Sequence, residues 1–441
     1  MKPFPSSRFA ACGLCLLAAL YGLPAAAFDL VDAFAAAKRH SAEYAAARHA
    51  RDAEIEQEVQ ARSPLLPQVA ATTSYQRQPA SLSANTVSRG WNVQASQVLF
   101  DRSAWAQYRQ GVLAAEMAGS RLKQVEHKLL LEVAQAYFNV LLYQDQLAAV
   151  RREKDAYLEQ MAQAKAMFDK GAATIVDAHE ARAGFDAALA KEITALSQLQ
   201  IARNTLSDLT GLDAAHISPL RRPVQPLGIP DKRTEAEWQA AAQRQNAEWR
   251  LQQLAAAQAS AGVKAAAEGR HWPRLTLSGG YQDNRNTQEY FGRDQHYRSK
   301  GGTVTLQLTI PLYSGGQTAS WVREAAARKL QQKDLLTAAE RRIRLSVRQA
   351  YRNTRDYHYR VLAQQRLLES SQTKLDSVRL GRRVGVRSTL DELQALQARA
   401  DAEQKLAEVR YGQIMAYLQL LDGAGELGRE EQWRRLRERL Y

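Results

Sequence analysis

Cysteine is all but missing: the two that occur, Cys12 and Cys15, both lie within the first fifteen positions. They fall in a leader where Lys2 and Arg8 precede an apolar run over 9–23, followed by Pro24 and the small residues Ala25, Ala26 and Ala27. That layout is a secretory signal over 1–27 with an Ala-x-Ala cleavage site. The exported chain then holds no thiol, which excludes disulfides and cysteine-ligated metals. The stretch "FAAC" ending at Cys12 comes before most of the apolar run rather than after it, so no lipid anchor is expected.

Long apolar runs are absent beyond the leader. No stretch approaches the roughly 18 consecutive apolar residues of a membrane-spanning helix, so entry into a bilayer would have to use strands. Catalytic signatures are missing as well. The eight histidines, His40, His49, His127, His179, His216, His271, His296 and His358, are scattered, with no HExxH, nucleophile elbow or glycine-rich phosphate loop. Neither an enzyme nor a cofactor or metal is expected. Acidic residues are outnumbered, 46 against 60 basic ones, for a net charge of +14, and losing Lys2 and Arg8 leaves +12. Export and the interleaving of the basic residues with Glu and Gln point to solvated helix faces, not to a nucleic-acid partner.

What is present is written twice. "VAQAYFN" at 133–139 recurs as "VRQAYRN" at 347–353, an offset of 214, and "GAATIVD" at 171–177 matches "GVRSTLD" at 385–391. "PQVAATTSYQ" at 67–76 aligns with "PRLTLSGGYQ" at 273–282, an offset of 206. Pro219, Pro223, Pro226 and Pro230 forbid a regular helix at the seam. The expected division is a first repeat over 28–211, a Pro-rich linker over 212–234, a second repeat over 235–422 and a short extension over 423–441. Periodicity predicts helices over 30–62, 103–168 and 176–210 in the first repeat, with strands over 66–77 and 90–100. The second repeat gives helices over 235–270, 317–381 and 388–421, with strands over 273–283 and 302–312. From Tyr108 to Phe168 a heptad seam carries only two charges, Glu126 and Lys154, which implies left-handed coiled-coil packing. The second copy is less pure, with Lys329, Lys333, Glu340 and Thr354 at matching positions. A helix of about 65 residues is a rod about 100 Å long, and the two short helices of each repeat, stacked end to end, would match it.

The strands are about ten residues long, the length of a tilted bilayer-crossing strand. In "TVTLQLTIPLYSGG" (303–316), Val304, Leu306, Leu308, Ile310 and Leu312 alternate with Thr303, Thr305, Gln307 and Thr309. Leu275 and Leu277 would share that outward face, and Trp91, Phe100, Trp272 and Tyr313 at strand ends would form an interfacial aromatic girdle. The same alternation also fits a small soluble four-stranded sheet. In lipid, four strands leave unpaired edges, so one chain cannot finish a barrel; two copies give eight strands and three give twelve.

"ARSPLLPQ" (61–68), "AYFNVL" (136–141), "PLYSGGQ" (311–317) and "VGVRSTLDEL" (384–393) resemble the TolC family of outer membrane efflux and type I secretion proteins, over about 29–422. The resemblance implies a homotrimer: a twelve-stranded outer membrane β-barrel continued by an α-helical periplasmic tunnel, set in outer membrane lipid. Its partners would be a periplasmic adaptor and an inner membrane ABC or RND transporter. The resemblance also implies a tip closed by carboxylate rings and interhelical bonds. Asp391 matches the outer ring aspartate, and Gln394 holds the position of the second. Arg387 matches a gate arginine and Asp177 a gate aspartate, while Arg382 stands where the family can carry a tyrosine, suggesting an Arg382–Asp177 ion pair. Both aspartates equally fit capping boxes, Thr174-x-x-Asp177 and Ser388-x-x-Asp391. The competing reading is a soluble periplasmic coiled-coil scaffold or adaptor.

Overall fold

The computed structural model describes residues 27–79, 86–170, 174–221, 233–268, 272–290 and 293–441, and its elements follow one order twice. The first pass is α1 (Leu30–His40), α2 (Ala42–Arg62), β1 (Gln68–Gln78), β2 (Thr86–Phe100), α3 (Arg102–Asp169) and α4 (Ile175–Thr210). The second is α5 (Glu235–Gln245), α6 (Ala247–Glu268), β3 (Arg274–Tyr290), β4 (Arg293–Thr309), α7 (Gln317–Arg383) and α8 (Thr389–Gly423), with a last helix α9 (Glu430–Leu440). The signal segment up to residue 26, Gly171, His271, Pro223, Pro226 and Pro230 lie outside the described residues.

Two expected helices are each two helices. The 30–62 stretch breaks at Ser41, whose backbone is extended (ψ 116°) and whose hydroxyl accepts from the Tyr44 N–H at 3.2 Å. The 235–270 stretch breaks at Asn246 (ψ 126°), whose side-chain oxygen accepts from the Trp249 N–H at 3.0 Å. Short polar side chains offer the backbone an alternative to helix, and hydrophobic periodicity runs straight through such a break. The two breaks are 205 residues apart, as are the capping boxes at Asp29 and Thr234 that open α1 and α5.

The long helices α3 and α7 have 68 and 67 residues, hence about 100 Å each. α2 and α4 pack along α3, and α6 and α8 along α7. The α3 seam buries Leu129, Val133, Ala136, Val140, Leu147, Val150, Tyr157 and Ala164. Its two charges are both matched: Glu126 pairs with Lys38 of α1, and Lys154 with Glu192 of α4 at 2.6 Å, removing the penalty of an unpaired charge on a packed face. In α7 the matching register is buried from Ile343 through Val347, Ala350 and Thr354 to Leu375 and Val378, while Lys329 and Lys333 lie in the exposed stretch before it. The Thr354 hydroxyl is satisfied by the Ala350 and Ala416 carbonyls at 2.8 and 3.2 Å.

The main core lies at mid-length, where α1 and α9 lean on α3, α4 and α8. Phe28 bridges in parallel to Ile217, and the Tyr137 hydroxyl donates to the Ser218 carbonyl at 2.8 Å. The extension is thus a packed helix: Arg437 pairs with Asp29 at 2.5 Å, Trp433 meets Phe34 edge-on at 4.3 Å, and the Tyr441 hydroxyl donates to that of Tyr137 at 2.7 Å. Burial pushes both tyrosine hydroxyls well above their ordinary range, so both stay neutral donors. Leu436 is buried in this cluster. Leu436→Ala is expected to cost about 2–5 kcal/mol, through lost burial and the cavity left behind, and to lower the unfolding midpoint of the detergent-solubilised protein.

The four strands form one antiparallel sheet in the order β1-β2-β3-β4. The β2–β3 pairing joins the two repeats, and among the described residues the outer edges of β1 and β4 have no partner strand. The strands of the second repeat, 17 residues each, extend well past the expected ones. β4 begins nine residues before the expected start and ends at Thr309, leaving Ile310, Leu312 and Tyr313 beyond it. Pro311 supplies no ladder donor and restricts the residue before it, which ends the strand there.

Candidate functional site

Directly opposed residues of an antiparallel ladder share a face, so the register sorts every strand side chain. One face carries Ala70, Thr72 and Ser74 of β1, Asn92, Gln94 and Ser96 of β2, Thr276, Ser278 and Gln282 of β3, and Thr303, Thr305 and Gln307 of β4. It is almost uniformly small and polar. The other carries Val69, Val93, Leu275, Leu277, Tyr281, Val304, Leu306 and Leu308, with Val304 84% exposed in the lone chain. A shift in register between Val98 and Phe100 turns Phe100 onto this apolar face opposite Leu275, as a bulge re-aims a side chain.

Aromatics bound the apolar face at both ends. At the helix end, Phe100 lies 6.4 Å from Trp272, and the Arg102 guanidinium sits 4.2 Å over the Trp272 ring. Tyr313 is 88% exposed just past β4. Trp91 is not at a strand end as expected: β2 starts at Thr86, and Trp91 stands within it, opposite Thr73 and Asp283 and 5.7 Å from Tyr281. The strands run on past it, so Trp91 marks the upper limit of the apolar band rather than of the sheet. Nine residues from Phe100 to Trp91 span about 30 Å of strand, or about 23 Å when tilted by about 40°, close to the ~25 Å apolar band of a membrane barrel.

At the opposite end of the rods, the C-terminal turns of α3 and α7 meet the start of α8. The carboxylate that organises this meeting is Glu392, only 3% exposed. It accepts from Gln160 Nε2 at 2.6 Å and from Arg379 Nε at 3.1 Å. Arg382 Nε stands 2.8 Å from its other oxygen, an ion-pair contact without hydrogen-bond alignment. Arg382 also donates to Gln160 Oε1 at 2.5 Å and to Gln163 Oε1 at 2.7 Å. The expected Arg382–Asp177 pair is therefore replaced within the chain by an Arg382–Glu392 pair. Arg382 faces α3 from the last turn of α7, and the buried carboxylate beside it takes its charge.

Asp177 is occupied by its own helix start, accepting from the Thr174 N–H at 3.0 Å and hydroxyl at 2.8 Å. Those bonds, together with the Thr389 hydroxyl, lower its pKa. The Thr389 contact brings together the starts of α4 and α8, the two copies of the repeated motif. Asp391 accepts from the Ser388 N–H and hydroxyl, both at 3.0 Å, closing its own capping box. Its pKa is lowered first by those bonds, then by the nearby Arg387 and Lys374 charges. Gln394 is exposed one turn further along α8, and Arg387 is exposed in the turn before it. Sequence reasoning missed Glu392 because it reads as a second first-turn acid beside Asp391.

The family model for outer membrane efflux proteins matches residues 35–212 and 235–426. The outer membrane protein TolC of Vibrio cholerae is 31% identical over 407 residues, 91% of this chain and 92% of its own. The proteases secretion protein PrtF of Dickeya chrysanthemi is 28% identical over 431 residues, 95% and 92% of the two chains. Among solved structures, CusC, a protein that forms a transmembrane channel, matches with a TM-score of 0.78 at 17% identity, over 90% of this chain and 92% of that one, a likeness of fold.

Proposed function

Because the chain belongs to the outer membrane efflux protein family, we propose that three copies of it assemble into one exit duct across the outer membrane and the periplasm. Each copy contributes four strands to a twelve-stranded barrel and a sector of a helical tunnel, and passes substrates onward from an inner membrane ABC or RND transporter through a periplasmic adaptor. The carrying observation is the sheet: one polar face, one apolar face of membrane height, and two open edges that only further copies can pair. The surface area agrees. The chain exposes 28255 Å², whereas a compact monomer of its 49.2 kDa exposes about 17,000 Å². Large apolar side chains such as Ile193, Ile201, Leu330, Leu345 and Leu380 stand exposed along the rods, where neighbouring copies would cover them.

The tip is read as a gate in which Asp391 lines the axis with Gln394 one turn away, Arg387 and Asp177 face the neighbouring copy, and Arg382 and Glu392 hold the helix ends of each copy together. A soluble scaffold would not need an apolar face of bilayer height. Light scattering on the protein extracted in mild detergent is expected to give about three chain masses per particle. A stable monomer with intact strands would sink the proposal.

A further inference from the structure

Immediately beyond the Trp91–Tyr281 boundary, the outward face of the sheet changes from apolar to cationic. Arg89 of β2 is directly opposite Arg285 of β3, and Arg285 is directly opposite Arg298 of β4, so three arginines form one row across three adjacent strands. All three are exposed. Tyr75 of β1 completes the row, and the next row toward the band holds Trp91, Asp283 and Lys300. Opposed Cβ atoms lie about 5 Å apart, and like charges so placed destabilise a sheet. One carboxylate stands among them: Asp283 takes Arg298 in a two-pronged bond, with Nε at 3.0 Å and Nη2 at 2.5 Å. Arg89 and Arg285 have no ion-pair partner among the described residues. Glu289 and Asp294 lie two rows further out, at the hairpin end.

A cationic row on a lipid-facing surface, one residue pair above an aromatic boundary, sits at headgroup depth. Because the helices leave the sheet at its other end, this is the outer leaflet. We infer that Arg89, Arg285 and Arg298, with Lys300, form a binding site for the phosphate groups of outer-leaflet lipopolysaccharide. Planar guanidinium groups suit bidentate contacts to phosphate, and a bound phosphate relieves the repulsion that the register creates. Tyr75, Trp91 and Tyr281 would lie against the sugar and the upper acyl chains. The inference rests on the barrel reading above.

The test titrates the purified trimer in non-ionic detergent with bisphosphorylated lipid A, dephosphorylated lipid A and inorganic phosphate, read by native mass spectrometry and by the thermal midpoint. The wild type is expected to bind bisphosphorylated lipid A at least tenfold more tightly than the dephosphorylated form and to gain thermal stability from it; inorganic phosphate should do neither. Arg89→Gln/Arg285→Gln, which spares the Arg298–Asp283 bond, should lose that preference, while the double lysine variant should keep most of it. In lipid-free detergent Arg285→Gln should be at least as stable as wild type, since it removes repulsion. Equal binding of the two lipids by the wild type, or unchanged binding by the double Gln variant, overturns the inference, as does phosphate alone stabilising as much as lipid A. If the double Gln variant does not assemble, the wild-type comparison of the two lipids decides. A monomeric wild type would instead count against the barrel reading.

Discussion

Glu392→Ala is expected to open the reconstituted channel more than any single change at Asp177, Arg387 or Arg382. The substitution strands Arg379 and Arg382, deletes the Gln160 bond and unpins α8 from both long helices at once. Breaking a well-buried pair costs about 3–5 kcal/mol, but the side chains of Arg379 and Arg382 are 39% and 23% exposed, so solvent screening reduces the cost to about 2 kcal/mol per copy. A change of that size shifts the closed population roughly 30-fold for each copy. Planar-bilayer conductance at low voltage should rise several-fold, and Glu392→Gln, which keeps the shape but not the charge, should lie between. A double-mutant cycle assigns the partner: Arg382→Ala and Glu392→Ala should be strongly non-additive, whereas Arg382→Ala and Asp177→Ala should add. Coupling of Arg382 to Asp177 instead would restore the pair that the sequence suggested.

Asp391→Ala should abolish cation preference and multivalent block from the periplasmic side. Net charge points the other way, since the exported chain is strongly basic. Yet exposed charges beyond a Debye length of about 8 Å are screened, and passage is set by the charges at the narrowest section. In the proposed trimer, three copies of Asp391 converging on the threefold axis would therefore outweigh the basic residues of the outer helix faces. Only one ring is expected because the adjoining position is Gln394; Gln394→Asp should strengthen block by a trivalent cation. The pH dependence has a definite sign. Within one chain the Ser388 bonds hold the Asp391 carboxyl below its ordinary value of 3.8, so its helix cap is intact above that value, while repulsion between three such carboxylates in the proposed ring acts in the opposite direction. The cap is lost as the pH falls through that lowered pKa, and block should weaken on acidification at a pH no lower than that. Planar-bilayer recordings of wild type and both variants with a trivalent cation check this; unchanged block in Asp391→Ala would leave Asp391 as a helix cap alone.

Much of the architecture is local and could be read directly. A seam repeating every 3.5 residues over 108–168 specifies a long packed helix, and strict alternation over 303–309 specifies a strand, because each pattern reports the face a side chain presents. What stayed hidden depends on distant partners. Ser41 and Asn246 break helices in mid-pattern by accepting from the backbone N–H three residues on, at Tyr44 and Trp249. Glu392 and Asp391 are adjacent acids in one first turn, and the approach of Gln160, 232 positions away, with Arg379 and Arg382 of α7 is what marks Glu392 as the buried one. Trp91 stands inside its strand rather than at the end because the outer strand segments are polar and charged, so hydrophobic alternation stops while the ladder hydrogen bonds continue.

The knot at mid-length sets an order of events. Leu30 and Tyr441, 411 positions apart, meet in one hydrogen bond, and Arg437 closes on Asp29 beside it. Loop-closure entropy makes so distant a meeting late compared with the hairpins and the neighbouring helix pairs. Until α9 has been synthesised and has docked, Phe34 lacks its Trp433 contact and Asp29 has only its own helix cap without the Arg437 ion pair. An interrupted chain could thus hold both hairpins and most of its rods while the waist remains unfastened. The docking of α9 on α1 fastens the waist only after the rods it holds together have formed.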